Sequence, residues 1–215
     1  MKVNGTAGVV GAALALVATA QAAEKTRTYD LTGFDEIVVE GVYEVMVEVG
    51  PDFGVELTGD QKWLALSEVE KAGDRLVLGT KKDGERQLTR RGRNAVRAVV
   101  TLPSLNAVAM KGVGSLEVEG VDAEAFTATL EGVGSVELAG TCADLTARVE
   151  GVGSLNARDL ECEDVEVDVE GIGSATVFAS RSVDADMDGM GSIDVWGKPS
   201  EVRRSKSFLS SIDVH

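Results

Sequence analysis

Aromatic residues make up only 4% of this 215-residue chain, histidine occurs once, cysteine twice and proline three times. With so few rings, the core has to be built from Val, Ala, Leu and Ile, and platforms on which sugars or bases stack are scarce. The one histidine, His215, is the last residue. A Ser-His-Asp or Cys-His arrangement is therefore not expected within the fold. Neither a neutral-pH base nor a cofactor motif is evident, so the expectation is a non-enzymatic protein without a cofactor. Positive charge is also short. Lys and Arg number 21 against 36 Asp and Glu, a net of −15, which argues against nucleic acid as a partner. After residue 23 no apolar run is long enough to cross a bilayer.

Residues 1–23, "MKVNGTAGVVGAALALVATAQAA", read as a secretory signal peptide. Lys2 supplies the basic start, Val9 to Ala18 the apolar stretch and Ala20-Gln21-Ala22 a small-residue cleavage site. The expected mature product is exported, to the periplasm or the outside of a Gram-negative bacterium, with no transmembrane segment of its own. Charge along it is uneven. Residues 115–194 hold 19 acids against Arg148, Arg158 and Arg181, so 3 − 19 = −16. Residues 81–97, "KKDGERQLTRRGRNAVR", hold seven basic residues against two acids, a net of +5. This basic segment reads as a solvated loop, or as a contact for anionic envelope polymers or for the acidic region of another copy.

Glycine is abundant, and its placement is regular. "KGVGS", "EGVGS", "EGVGS", "EGIGS" and "DGMGS" recur with first glycines at 112, 132, 151, 171 and 189, and a degraded copy, "FLSSIDVH", begins at Phe208. Spacings of 18 to 20 residues mark a stack in which each repeat is one coil. Aligned on the first glycine, the positions four before (Val108, Ala128, Ala147, Val167, Ala185), two before (Met110, Leu130, Val149, Val169, Met187), four after (Leu116, Val136, Leu155, Ala175, Ile193, Ile212) and six after (Val118, Leu138, Ala157, Val177, Val195, Val214) are apolar, with polar residues between them. A period of two on both sides of the glycine pair means strand, bend, strand.

The bend residues Gly112, Gly114, Ser115, Gly132, Gly134, Ser135, Gly151, Gly153, Ser154, Gly171, Gly173, Ser174, Gly189, Gly191 and Ser192 are read as structural, because stacked layers ~4.8 Å apart leave no room for a Cβ. The serines, with Ser211 in the sixth copy, are expected to satisfy bend amides and to form a hydroxyl ladder. The apolar residue between the glycines is expected to point inward. A phosphate-cradling loop is the rival for Gly-x-Gly, but it needs a following helix and normally occurs once.

One position before the first glycine stand Glu131, Glu150, Glu170 and Asp188, a carboxylate column read as a solvated face or a weak cation site. Cys142 and Cys162 each lie nine residues before a first glycine, in one column of adjacent coils. Stacking sets their Cα atoms about 5 Å apart, and an oxidising compartment favours a disulfide between them. The remainder of the chain, 24–98, reads as a degenerate β region, with "FDEIVVE", "EGVYEVMVEVG" and "DRLVLGT" as strands and "DQKWLALSEVEKAG" as one short helix or an irregular crossover. The regular part spans 99–215.

The order "GFDEIVVEG", "DRLVLGT", "TLPSLNAVAMKGVGS", repeated Gly-x-Gly-Ser and then "VWGKP" resembles the head GIN domain family of autotransporter adhesins, over about residues 29–215. That resemblance implies a β-helix-like fold in exported bacterial proteins and a role in adhesion. An autotransporter also carries a C-terminal membrane barrel, and no segment here is patterned for one. The expectation is therefore an all-β solenoid acting as an exported interaction or adhesion module. Its partner would be an envelope or cell-surface protein or glycan. A carbohydrate-active β-helix enzyme and a structural protein that self-associates through its end coils are the alternatives.

Overall fold

The computed structural model describes residues 24–81 and 96–215. The signal-like segment 1–23 and most of the basic segment, 82–95, lie outside the described residues. Among the described residues the protein is all-β apart from one four-residue helix. Strands β1 (Lys25–Tyr29), β2 (Glu36–Val39), β3 (Val42–Val49) and β4 (Gly54–Gly59) precede the helix α1 (Gln61–Leu64). Strands β5 (Ser67–Ala72), β6 (Arg75–Thr80), β7 (Val96–Leu102) and β8 (Ala107–Met110) follow it. The rest is carried by β9 (Val113–Leu130), β10 (Val133–Val149), β11 (Val152–Trp196), β12 (Glu201–Lys206) and β13 (Ser210–Val214). All thirteen belong to one sheet, which curls into a nearly closed, barrel-like wrap around a single core.

The long strands are continuous through their bends and pair in parallel, layer on layer. Glycine meets glycine (Gly134 with Gly114 and Gly153) and serine meets serine (Ser135 with Ser115 and Ser154). Tyr43 and Glu44 stand opposite Gly114 and Ser115, so β3 is the layer before the first Gly-x-Gly-Ser. At the N-terminal end the parallel pattern gives way to antiparallel strands, with β4 against β7, β1 against β4 and β5 against β6. At the other end β12 and β13 both lie parallel to β11. Of "DQKWLALSEVEKAG", only Gln61–Leu64 is helical, capped by the Asp60 carboxylate accepting from the Lys62 N–H. "SEVEKA" becomes β5 because its alternation lets it pair with β6.

The columns four and two before, and four and six after, the first glycine supply the core, from Val108 to Val195, with Val214 half-buried at its end. Tyr43, Phe34 and Phe126 are the largest of its fully buried side chains, and Trp63 is buried with them. Strict alternation carries through the bend, and this corrects one expectation. The even positions include both glycines; the residue between them is odd, and it faces solvent. Val113, Val133, Val152, Ile172, Met190 and Leu209 are 44 to 65% exposed. Their apolar character suggested burial, but the parity of an extended chain places them outside.

Candidate interaction surface

The corner of each layer is built by steric exclusion. A Cβ on Gly132, Gly151 or Gly153 would run into the carbonyl oxygen of Gly112, Gly132 or Gly134 in the layer before. Four of the second glycines, Gly114, Gly134, Gly153 and Gly191, also hold φ between +145° and +159°. The bend after Glu170 differs: there the first glycine carries the positive φ, +126° at Gly171. With glycine at both inward positions, each corner presents its side chains outward. The result is two adjacent exposed columns, one aliphatic (Val113 to Leu209) and one acidic (Glu131, Glu150, Glu170 and Asp188).

The acidic column does not gather into a metal centre. Glu131 pairs with Lys111 at 3.0 Å. Among the described residues no three His, Cys, Asp or Glu side chains come together as a potential ligand set. All four carboxylates are on exposed residues, where water and salt screen their charge. The serines stack in register, but among the described residues no hydroxyl joins one bend serine to the next. Ser192 instead donates to Asp194 Oδ2 at 3.4 Å. The parallel backbone ladder already engages the bend amides, Val133 N to Gly112 O and Val152 N to Gly132 O at 3.0 Å each, so the hydroxyls are left facing solvent.

Cys142 and Cys162 are register partners joined by a disulfide, with Cα atoms 4.6 Å apart. The bridge ties two successive layers, and Ser180, next in the column, donates to the Cys162 carbonyl at 3.2 Å.

A second surface is the polar face of β10 to β12. Leu145, Ala147 and Val149 turn inward while Asp144, Thr146 and Arg148 turn outward, beside Asp164, Glu166 and Asp168 of the next layer. Arg181 binds both oxygens of Asp164 and reaches Glu163 at 2.8 Å, and the Ser182 hydroxyl donates to Asp164 at 2.6 Å. Those hydrogen bonds, Arg181 first, hold the Asp164 carboxyl down at about 2 and raise the Arg181 guanidinium further above its ordinary range. Asp144, Thr146, Asp164, Ser182, Asp184 and Arg203 line a shallow concavity of about 370 Å³ here. A general acid or base works best with a pKa near the operating pH, and Asp164 lies far below it. This face is organised as an ion-pair network instead.

His215 is not isolated. Position seven after the first glycine is occupied by Arg158, Phe178, Trp196 and His215 in four successive layers. The Arg158 guanidinium lies 3.9 Å from the Trp196 ring centroid, and the His215 ring stacks on the indole at 4.4 Å. His215 Nε2 is 3.3 Å from Asp194. The Ser192 hydroxyl binds the Asp194 carboxylate, and among the described residues no serine hydroxyl binds the imidazole, so the described group lacks the nucleophile–base contact of a hydrolytic triad. Aligning the column by repeat number would have brought these four residues together. Their stacking depended on side-chain reach across two layers.

Residues 33–199 match the family described as "Putative auto-transporter adhesin, head GIN domain". No curated protein sequence matches the chain. Among solved structures, a putative adhesin from Bacteroides fragilis NCTC 9343 is similar, with 23% identity and a TM-score of 0.71, over 91% of this chain and 98% of that one. A putative adhesin from Parabacteroides distasonis ATCC 8503 has 15% identity and a TM-score of 0.45, over 90% and 97%. A putative lipid binding protein from the same strain has 17% identity and a TM-score of 0.42, over 89% and 96%.

Proposed function

This chain belongs to the head GIN domain family, and from that premise we propose that it is a non-enzymatic interaction module working outside the cytoplasm, built as a β-solenoid whose corners form the contact surface. The in-register parallel pairing of β9, β10 and β11 at offsets of about one repeat supports the solenoid reading. The signal-like composition of residues 1–23 supports export.

One observation carries the interaction reading: large aliphatic side chains stand exposed at the same corner in six layers. Single exposed apolar residues are common on soluble proteins, but contiguous apolar surface marks a contact site. Nothing in the core requires these residues, since the core is complete without them. The test is binding of the labelled protein to a bacterial envelope fraction, beside a variant carrying Val133→Thr, Val152→Thr and Ile172→Thr. Threonine keeps the β-branched shape while removing apolar surface. Saturable binding that the variant loses is the expected result. Non-saturable binding, or equal binding by the variant, would overturn the reading.

A further inference from the structure

We propose that the aliphatic row at the corner docks a cationic amphipathic helix on a protein partner, an inference that rests on the interaction reading above. The pitch comes first. Val113, Val133, Val152, Ile172, Met190 and Leu209 rise by ~4.8 Å per layer, or ~24 Å in all. One face of an α-helix repeats every ~5.4 Å, so helix and row stay in step for three or four turns. An extended peptide along the same line repeats its side at ~6.6 Å and slips out of step by the second residue. A helix covering the row needs roughly 16 residues at ~1.5 Å each.

Charge then selects the flank. Glu150, Glu170 and Asp188 border the row, and among the described residues none of them makes an ion pair, whereas Glu131 already holds Lys111. The other border is uncharged serine. The complementary surface is thus an apolar stripe with Lys or Arg along one side. A second copy of this chain brings the same acidic border and a net charge of −15, and an anionic membrane brings phosphates; both meet like charge at the flank. The row ends at Leu209, and its neighbour Phe208, whose side chain is wholly exposed, offers an aromatic anchor at that end of the docked helix.

The test uses the purified chain and a labelled synthetic Leu–Lys amphipathic helix of roughly 16 residues. Two controls accompany it: a scrambled peptide of the same composition, and the same helix with Glu for Lys. The expected result is saturable binding of the Leu–Lys helix alone. It should weaken about tenfold or more in the Val133→Thr, Val152→Thr, Ile172→Thr variant, and also in Glu150→Gln, Glu170→Gln, Asp188→Asn. All six positions are exposed, so neither variant should melt below wild type, the neutralised one melting at or above it as repulsion is relieved, and either alone suffices. Equal binding of the scrambled peptide overturns the inference, as does undiminished binding by either folded variant. So does self-association in sedimentation equilibrium that the threonine variant abolishes, or capture of anionic vesicles that depends on the same residues. If the helix fails to bind while envelope binding still depends on the row, this inference falls and the interaction reading stands. If envelope binding ignores the row, the earlier reading falls on its own.

Discussion

At the scale of single residues, the corner glycines and one buried phenol carry the sharpest consequences. Gly171 combines a φ of +126° with a preceding-layer carbonyl 2.7 Å from where a Cβ would sit, and a Cβ at Gly151 would strike the Gly132 carbonyl. Gly171→Val and Gly151→Val should each cost about 3 kcal/mol or more, combining backbone strain with a clash that only backbone movement relieves. Glu137→Val, on an outward position, should stay within about 0.5 kcal/mol. Thermal or denaturant unfolding of the three variants checks this ranking, and equal melting temperatures would contradict the steric account of the bend. Tyr43 is buried with its hydroxyl donating to the Gly79 carbonyl at 2.5 Å, and burial pushes the phenol up to about 12. A group whose folded pKa lies above its unfolded value of 10.0 stabilises the fold below that value and loses the contribution as pH rises through the folded one. Stability should therefore fall between pH 10 and about 12. Tyr43→Phe should lower stability at neutral pH, through the lost hydrogen bond, and flatten that alkaline decline.

At the scale of elements, two ties cross from layer to layer, one joining β10 to β11 and one joining successive layers within β11. The disulfide closes a loop with a sequence separation of 20, and in the chain-entropy model such a bridge contributes roughly 3 kcal/mol. Reduction, or Cys142→Ala with Cys162→Ala, should lower the melting temperature accordingly. Intact-mass analysis after alkylation of unreduced, denatured protein should find no free thiol. The second tie is Arg181 on Asp164. Because the Asp164 carboxyl is held below its ordinary 3.8, at about 2, the pair stabilises fully above the ordinary value and loses its contribution as pH falls through the lower one. Both side chains sit at the surface, and salt screens them. Melting curves of wild type and Asp164→Asn should therefore differ at pH 5 and converge near pH 2, with the pH 5 difference shrinking in high salt.

At the scale of the whole molecule, the net charge of −15 opposes compaction, and the stacking concentrates it: residues 115–194 alone hold −16. Arg148 and Arg181 neutralise a few acids of the polar face, but the corner column beyond Glu131 stays uncompensated. Added monovalent salt should raise the melting temperature about as much as calcium at matched ionic strength, because screening and not coordination relieves the repulsion. A rise at low-millimolar calcium that sodium does not reproduce would mean that the column binds the ion.

The sequence by itself determined the period, the positions of strand and bend, and which columns fill the core. These follow from two local rules, alternation along an extended chain and the need for glycine where backbones approach closely, and five near-copies repeat both rules. It also placed Cys142 and Cys162 in one column, since equal offsets from successive glycines become neighbours in any in-register stack. The sidedness of the corner was legible as well, because counting parity from Met110 or Leu130 puts Val113 and Val133 outside; hydrophobicity points the other way, and geometry wins there because the inward positions are the glycines. Only the tertiary structure decided the remainder. That β5 pairs with β6, that Arg181 reaches across a layer to Asp164, and that Arg158 and His215 enclose Trp196 depend on which backbones become neighbours and how far long side chains extend between layers. Neither quantity has a period along the chain. The exposed row with its acidic border is likewise a product of stacking: each layer contributes one aliphatic and one acidic residue, and only their alignment makes a surface.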